Sequence, residues 1–239
     1  MKTLIVIPAR FASTRFPGKP LAMIEGIPMV IRVWKQCCKS TKGADIVIAT
    51  DHADIFSVAE QYGAPVLMTR MDHPSGTDRV IEVMQQLPQY DAYLNVQGDE
   101  PFIHPELIDA ILTDMEQRDA DVVTAISEIH RVEDLESPNI VKAVRAASGY
   151  ALYFSRHPLP YVVNVRPEGI LASANFYRHA GIYGFRKSSL ELISAMGVSA
   201  LERAESLEQL RWLENGLRIY AVITEHISRG IDTPEQLEE

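Results

Sequence analysis

Apolar positions along the chain fall into two spacings. Short apolar runs at 3–7, 46–49, 65–68 and 93–97 each stop at Pro, Gly or a polar loop. Runs this short, rich in Ile, Val and Leu and without apolar–polar alternation, predict strands covered on both faces, as in a parallel sheet. Between the strands, apolar residues recur at helical spacing. Met29, Val30, Val33, Trp34 and Cys37 predict a helix over 28–39, and Ile55, Val58, Ala59 and Tyr62 a second one that Gly63 ends. Asp51 stands in the N-cap position of that second helix. Val80, Val83, Met84 and Leu87 mark a third helix after the polar loop 69–79, and Leu107, Ile108, Ile111, Leu112 and Met115 a fourth over 105–117. This repeated strand–helix alternation predicts an α/β fold: a mostly parallel, doubly wound central sheet with helices on both faces.

The pattern then changes. Runs at 121–126, 140–144, 150–154 and 180–185 read as strands with few helices between them. The chain is therefore expected to be a single domain over 1–239, with 129–186 as a smaller mixed β insertion that covers the site or pairs with a second subunit. Residues 161–174 carry Pro and Gly without periodicity and predict a loop. Leu207, Leu210 and Leu213 predict one helix over 202–214, closed by Gly216, followed by a strand over 218–224 and a terminal turn at 230–234.

Composition changes this picture little; charge changes it more. Hydrophobic residues make up 46% and charged residues 23%, ordinary for a globular chain. The net charge of −9 argues against general affinity for nucleic acid or an anionic membrane. No apolar run approaches the ~20 residues of a membrane span, and the N-terminus reads as a strand, not a signal peptide. The two cysteines are the neighbours Cys37 and Cys38, unsuited to an ordinary disulfide. Together these features point to the cytoplasm.

Against the acidic background, the loop after the first strand stands out. It carries Arg10, Arg15 and Lys19, the hydroxyls Ser13 and Thr14, and a Pro17-Gly18 turn. Ligands of open α/β sheets bind beyond the carboxyl ends of strands, and cations with free backbone N–H groups there suit a polyphosphate. The Walker spacing is absent. Asp99 ends another central strand, behind Gly98, in the same expected crevice. A carboxylate beside phosphates fits a Mg²⁺ ligand, although a turn aspartate would look the same. Asp232 is a second possible ligand, in a Gly-x-Asp-Thr-Pro turn that needs no metal to explain it. Ser75, Gly76, Thr77 and Arg79 could read a base or ribose, or simply start a helix with Ser75 or Thr77 as its cap. Arg156 with His157, and Arg178 with His179, sit at strand ends where an acidic substrate could be held, while Glu205, Glu208 and Gln209 share one helix. The seven histidines show no zinc-ligand spacing, and no G-x-S-x-G elbow occurs.

Several of these stretches recur as an ordered set. P-A-R-F-A-S-T-R-F-P-G-K-P-L (8–21), A-T-D (49–51), M-T-R-M-D-H-P-S-G-T-D-R (68–79) and N-V-Q-G-D-E-P (95–101) are followed by A-L-Y-F-S-R (151–156), R-H-A-G-I-Y (178–183), E-S-L-E-Q-L-R (205–211) and G-I-D-T-P (230–234). The set resembles the 3-deoxy-manno-octulosonate cytidylyltransferases, the CMP-Kdo synthetases of Gram-negative bacteria, over nearly the whole chain. The resemblance implies a nucleotide-diphosphosugar-transferase-like fold, a homodimer, Mg²⁺ as cofactor, and CTP and 3-deoxy-D-manno-octulosonate (Kdo) as substrates. The implied reaction yields CMP-Kdo and pyrophosphate and serves lipopolysaccharide or capsule synthesis. Carried onto this chain, Ala9, Arg10, Arg15 and Lys19 would cradle the triphosphate, Ser75 and Gly76 would help recognise cytosine, and Asp99 and Asp232 would hold Mg²⁺. Gln97, Arg156, His179, Tyr183, Glu208 and Gln209 would line the sugar pocket, with Arg156 facing the Kdo carboxylate. Ala180 stands where a larger aliphatic residue would be expected within R-H-x-G-I-Y.

Three other readings remain open. A cytidylyltransferase for 8-amino-Kdo or N-acylneuraminate would share the loop and the carboxylates. A retained, non-catalytic nucleotide-binding module would show losses among the cations or aspartates, and none is seen. A glycosyltransferase would carry a D-x-D motif, which Gly98-Asp99-Glu100 lacks.

Overall fold

The computed structural model describes residues 1–12, 16–165, 167–226, 230–231 and 233–237. β1 (Thr3–Ala9) leads through a 3-10 turn at Lys19–Leu21 and a hairpin of short strands, β2 (Met23–Ile24) and β3 (Ile27–Pro28), into α1 (Met29–Cys37). Then follow β4 (Asp45–Thr50), α2 (Ala53–Gln61), β5 (Val66–Met68), α3 (Gly76–Gln86), β6 (Ala92–Asn95) and α4 (Pro105–Gln117). The second half holds β7 (Val122–Glu128), α5 (Val132–Glu136), β8 (Lys142–Arg145), β9 (Ala151–Ser155), β10 (Tyr177–Arg186), α6 (Lys187–Ser194), α7 (Ala200–Glu205), α8 (Glu208–Glu214) and β11 (Ile219–Ile223).

The strands form one sheet in the order β11-β7-β10-β6-β1-β4-β5, with β8 and β9 attached beside β10. β1 pairs in parallel with β4 and β6, as its unbroken apolar run demands. Along β1 the side chains alternate between two cores. Ile5, Ile7 and Ala9 pack with Val30 of α1, Ile55 of α2 and Ile108 of α4, whereas Leu4 and Val6 pack with Val80 of α3, Leu190 of α6 and Leu210 of α8. Each such Leu or Ile, fully buried, contributes about 1.5–3 kcal/mol. Burial on both faces removes the alternation that a one-sided strand would show.

Three sequence expectations need correction. The segment 129–186 does not close off as a separate layer: β10 pairs antiparallel with both β6 and β7 in the middle of the main sheet. Only β8 and β9 extend outward, paired with each other and with the start of β10. The helix expected over 202–214 is two helices, because Ser206 turns left-handed (φ 53°) between α7 and α8. The N-cap of α2 is His52, whose Nδ1 accepts from Asp54 N at 3.2 Å, and not Asp51. α6 has no counterpart in the sequence reading, since its short polar run buries only Ser189, Leu190 and Ile193. Among the described residues, no helix is long and apolar enough to cross a membrane.

Candidate active site

The carboxyl ends of β1 and β6 meet at Gly98. A Cβ placed there would lie 2.4 Å from the carbonyl oxygen of Pro8, so only glycine lets the 97–99 turn rest against the end of β1. That contact aims Asp99 at Lys19, whose Nζ donates to Asp99 Oδ2 at 2.7 Å. The C-terminal segment closes on the same residue: Ile231 N donates to the backbone carbonyl oxygen of Asp99 at 2.9 Å, and the Cβ position of Gly230 is 3.7 Å from Oδ1. Around this point lies a cleft of about 370 Å³, lined among others by Ala9, Arg10, Lys19, Gly76, Gln97 and Asp99. The expected triphosphate residues Ala9, Arg10 and Lys19 therefore share one cleft with Asp99. Arg15, with Ser13 and Thr14, and Asp232 lie outside the described residues.

A buried ion pair holds this loop in place. Arg79 is 3% exposed and donates to Asp51 Oδ2 at 2.8 Å, to Arg70 O at 3.2 Å and to Thr69 Oγ1. The other oxygen of Asp51 accepts the N–H of Phe11 at 3.2 Å, and the Phe11 ring stacks on His52 with centroids 3.8 Å apart. Gly18, left-handed at φ 70°, donates back to Phe11 O at 3.1 Å and so closes the loop. Arg79 is thus no reader of a base: its guanidinium is spent within the protein. The ion pair joins the 49–51 and 68–79 blocks across the fold, and no sequence spacing reveals it.

On the opposite wall, Ser75 caps α3. Its Oγ accepts from Asp78 N at 3.2 Å and donates to Asp78 Oδ2 at 2.7 Å. Ser75 thus caps α3 and also lines the cleft, beside the backbone around Gly76. Gly76 abuts Asn95 and Gln97, its Cβ position 3.5 Å from Asn95 Nδ2 and 3.8 Å from Gln97 Oε1. Thr77 Oγ1 donates to Glu208 Oε1 at 2.9 Å. Burial pushes the Glu208 carboxyl above its ordinary pKa, against the hydrogen bonds from Thr77 and Ser75.

Gln97 separates this cleft from a second one. Its Nε2 donates to Gly181 O at 2.9 Å, and beyond it a cleft of about 270 Å³ is lined by Asn139, Arg178, His179, Tyr183, Leu207 and Gln209, among others. Burial lowers the His179 pKa to about 3, so the ring is neutral at physiological pH. The Thr124 hydroxyl donates to Ile182 O at 2.8 Å and lies 2.8 Å from His179 Nε2. Tyr183 is pushed well above its ordinary pKa by burial and by Glu208, and stays a neutral phenol.

Of the expected sugar residues, His179, Tyr183 and Gln209 line the second cleft together, Gln97 lies on the partition and Glu208 behind it. Arg156 is placed differently. Its guanidinium donates to Glu205 O at 2.8 Å, Pro138 O at 3.0 Å and Ser206 O at 3.4 Å, and it lines neither cleft. Here it brackets the break between α7 and α8, and meeting a substrate carboxylate would require it to exchange these carbonyls. Lys142, unremarked in the sequence, is wholly buried. Its Nζ donates to Ser137 O at 2.8 Å, to Ile140 O at 2.7 Å and to Arg156 O, which fixes the 137–140 wall of the second cleft.

The donor set beside Lys19 suits a hard divalent cation. Asp99 offers carboxylate oxygens next to a phosphate-sized, cation-lined cleft, the oxygen-only combination that Mg²⁺ takes. Among the described residues, no group of three or more side chains forms a metal cage by itself, so such an ion would complete its shell from substrate and water.

The cytidylyltransferase family model matches residues 4–219. A 3-deoxy-manno-octulosonate cytidylyltransferase from Parabacteroides distasonis is 45% identical over 243 residues, covering 100% of this chain and 96% of that protein. One of the same name from Thermodesulfovibrio yellowstonii is 42% identical over 246 residues, again covering 100% and 96%. The solved structure of a CMP:2-keto-3-deoxy-manno-octonic acid synthetase complexed with CTP superposes with a TM-score of 0.93 at 38% identity, covering 100% of this chain and 96% of that one. A cytidylyltransferase from Leptospira borgpetersenii serovar Hardjo-bovis shares the fold, with a TM-score of 0.63 at 16% identity, covering 100% and 84%.

Proposed function

The chain belongs to the cytidylyltransferase family, and from that premise we propose that it transfers CMP from CTP to the anomeric hydroxyl of Kdo, releasing pyrophosphate. The observation that carries this reading is the pair of adjoining clefts. One holds Arg10, Lys19 and Asp99 at the carboxyl ends of β1 and β6; the other, across Gln97, is walled by His179, Tyr183 and Gln209. A triphosphate in the first and a polyhydroxylated acid sugar in the second would bring the anomeric oxygen toward the α-phosphorus.

Transfer then needs positioning and charge neutralisation more than covalent help from the protein. Lys19 and Arg10, with Arg15, neutralise the phosphates, and Lys19 moves its donation from Asp99 onto phosphate oxygen as the nucleotide arrives. The attacking hydroxyl oxygen bonds to phosphorus, its proton passing to solvent, as the bond to the pyrophosphate oxygen breaks, and the cations hold the departing charge. The backbone at Gly76 meets the cytosine edge. Neutral His179, Tyr183 and Gln209 orient sugar hydroxyls, because none of them brings a charge that would tie up the sugar's own carboxylate. Asp99 and Asp232 would hold Mg²⁺, which supplies charge neutralisation and a lowered hydroxyl pKa. The cytoplasm is the proposed compartment. A homodimer is the proposed assembly, supported by Leu152, Tyr161 and Val163, apolar yet 61%, 85% and 67% exposed within the 129–186 segment.

The test is pyrophosphate release with Mg²⁺ and each of the four nucleoside triphosphates, against Kdo, 8-amino-Kdo and N-acetylneuraminate. Release with CTP and Kdo is expected. Release that ignores Kdo, or that prefers a purine triphosphate, overturns the reading.

A further inference from the structure

The turn between α5 and β8 is gripped by two cations. Lys142 Nζ donates to Ser137 O at 2.8 Å and to Ile140 O at 2.7 Å, and the Arg156 guanidinium donates to Pro138 O at 3.0 Å. The third bond of Nζ, to Arg156 O, ties the turn to the end of β9. All three N–H donors of the ammonium are thus engaged by carbonyls, and the side chain is 0% exposed. Burying an ammonium costs desolvation that a turn left to water would not incur. Satisfying backbone carbonyls gives little reason to bear that cost here, because Pro138 and Asn139 are exposed and water could serve them. What the grip holds in place is the rim of the second cleft. Asn139, Ile140 and Val141 line it, and Val141 O accepts His179 N at 2.8 Å. The carbonyls just before and just after that of Asn139 are each fixed by a cation. Among the described residues, no hydrogen bond ties the Asn139 carboxamide itself.

We propose that Asn139 is a further sugar-contacting residue of the second cleft, and that Lys142 is the positioning residue that presents it. The chemistry suits a polyhydroxylated ligand: a carboxamide offers two donors and an acceptor, and each sugar hydroxyl can both donate and accept. Lys142, with Arg156, fixes the turn before the ligand arrives, so binding does not carry the ordering cost that a loose turn would add. An apolar residue at 142 would leave Ser137 O and Ile140 O without their donor and set Asn139 free to leave the cleft. The naming of the sugar rests on the proposed function; the clamp on the turn does not.

The experiment has two arms. In the first, steady-state kinetics compare Asn139→Ala, Lys142→Met and the double variant with the wild type. Asn139→Ala is expected to raise KM for Kdo by about 3–10-fold, the worth of one neutral hydrogen bond, with KM for CTP unchanged and kcat within about twofold. Lys142→Met should raise KM for Kdo at least as much, again without moving KM for CTP. Because Lys142 acts through Asn139, the rise in the double variant should fall well short of the product of the two. A wild-type KM for Kdo in Asn139→Ala overturns the contact, and factors that simply multiply overturn the positioning role. Asn139 is exposed, so Asn139→Ala decides the contact even where Lys142→Met fails to fold. The second arm, hydrogen exchange read by mass spectrometry, needs no substrate. Lys142→Met, or Lys142→Gln if only that variant folds, should quicken exchange across 137–141 and leave α3 as in the wild type. Unchanged exchange at 137–141 overturns the clamp. A wild type that does not turn over Kdo with CTP refutes the proposed function instead, and the exchange arm still decides the clamp.

Discussion

Replacing Arg79 by Leu tests whether the Asp51–Arg79 pair holds the nucleotide loop. The pair is enclosed, with side chains 3% and 8% exposed and Nη2 2.8 Å from Oδ2. Removing one partner leaves Asp51 as a buried, uncompensated charge, and such losses cost about 3–5 kcal/mol. For a chain of this size, each kcal/mol moves the melting temperature by about 2–4 °C, so the midpoint should fall by roughly 6–20 °C. Asp51 also anchors Phe11 N, so the loop carrying Lys19 loosens and KM for CTP rises while the sugar site is spared. Adding Asp51→Asn removes the stranded charge and keeps an acceptor for Phe11. The double variant should recover about 1–3 kcal/mol of the loss. Thermal and urea unfolding followed by circular dichroism, together with steady-state kinetics, read both effects. An Arg79→Leu cost below about 1 kcal/mol, the worth of an exposed pair, would refute the reasoning. So would a double variant whose losses simply add.

Lys19→Met should raise KM for CTP by about 10–100-fold, the worth of one to two charge-assisted bonds. Its melting temperature should barely change, because the pair with Asp99 is partly exposed and screened; an unchanged KM would remove Lys19 from the triphosphate site. Gly98→Ala forces a Cβ against Pro8 O and should destabilise the protein by about 1–3 kcal/mol, with turnover falling as Asp99 is displaced; full activity would show that the close approach at this turn is dispensable. Glu208→Gln bears on pH. The folded carboxyl has a raised pKa, so its stabilising effect is complete below the ordinary value of 4.5 and is lost as pH rises through the folded value. Melting temperatures should therefore favour Glu208→Gln over the wild type at pH 8, with the difference shrinking toward pH 4; a pH-independent difference would contradict the burial argument.

The strand–helix alternation of the first half was legible because each element carries its own period. The helix expected over 105–117 and the observed α4 (Pro105–Gln117) coincide. The second half was harder to read. β10 is a central strand that runs antiparallel, and its identity depends on partners, β6 and β7, distant in sequence. The left-handed Ser206 broke a helix whose leucines kept their period, because a single φ leaves no mark on hydrophobic spacing. At the site, the charges of Lys19 and Asp99 pointed to their crevice, since both follow strand ends. Their 2.7 Å contact joins positions 80 apart in the sequence and needed the fold. Lys142 escaped notice, and Arg79 read as a possible base or ribose contact, for the opposite reason. A cation reads as solvent-facing until burial and its partners are seen.

Convergence of Lys19 and Asp99 on one triphosphate is what the reaction requires of this site. It is tested most directly by pyrophosphate release from CTP and Kdo catalysed by Asp99→Asn, with circular dichroism confirming the native fold. Loss of turnover by at least about 10²–10³-fold, the effect of deleting a principal electrostatic group, is the predicted result. Turnover within about tenfold of wild type, too small a loss for such a group, would contradict it.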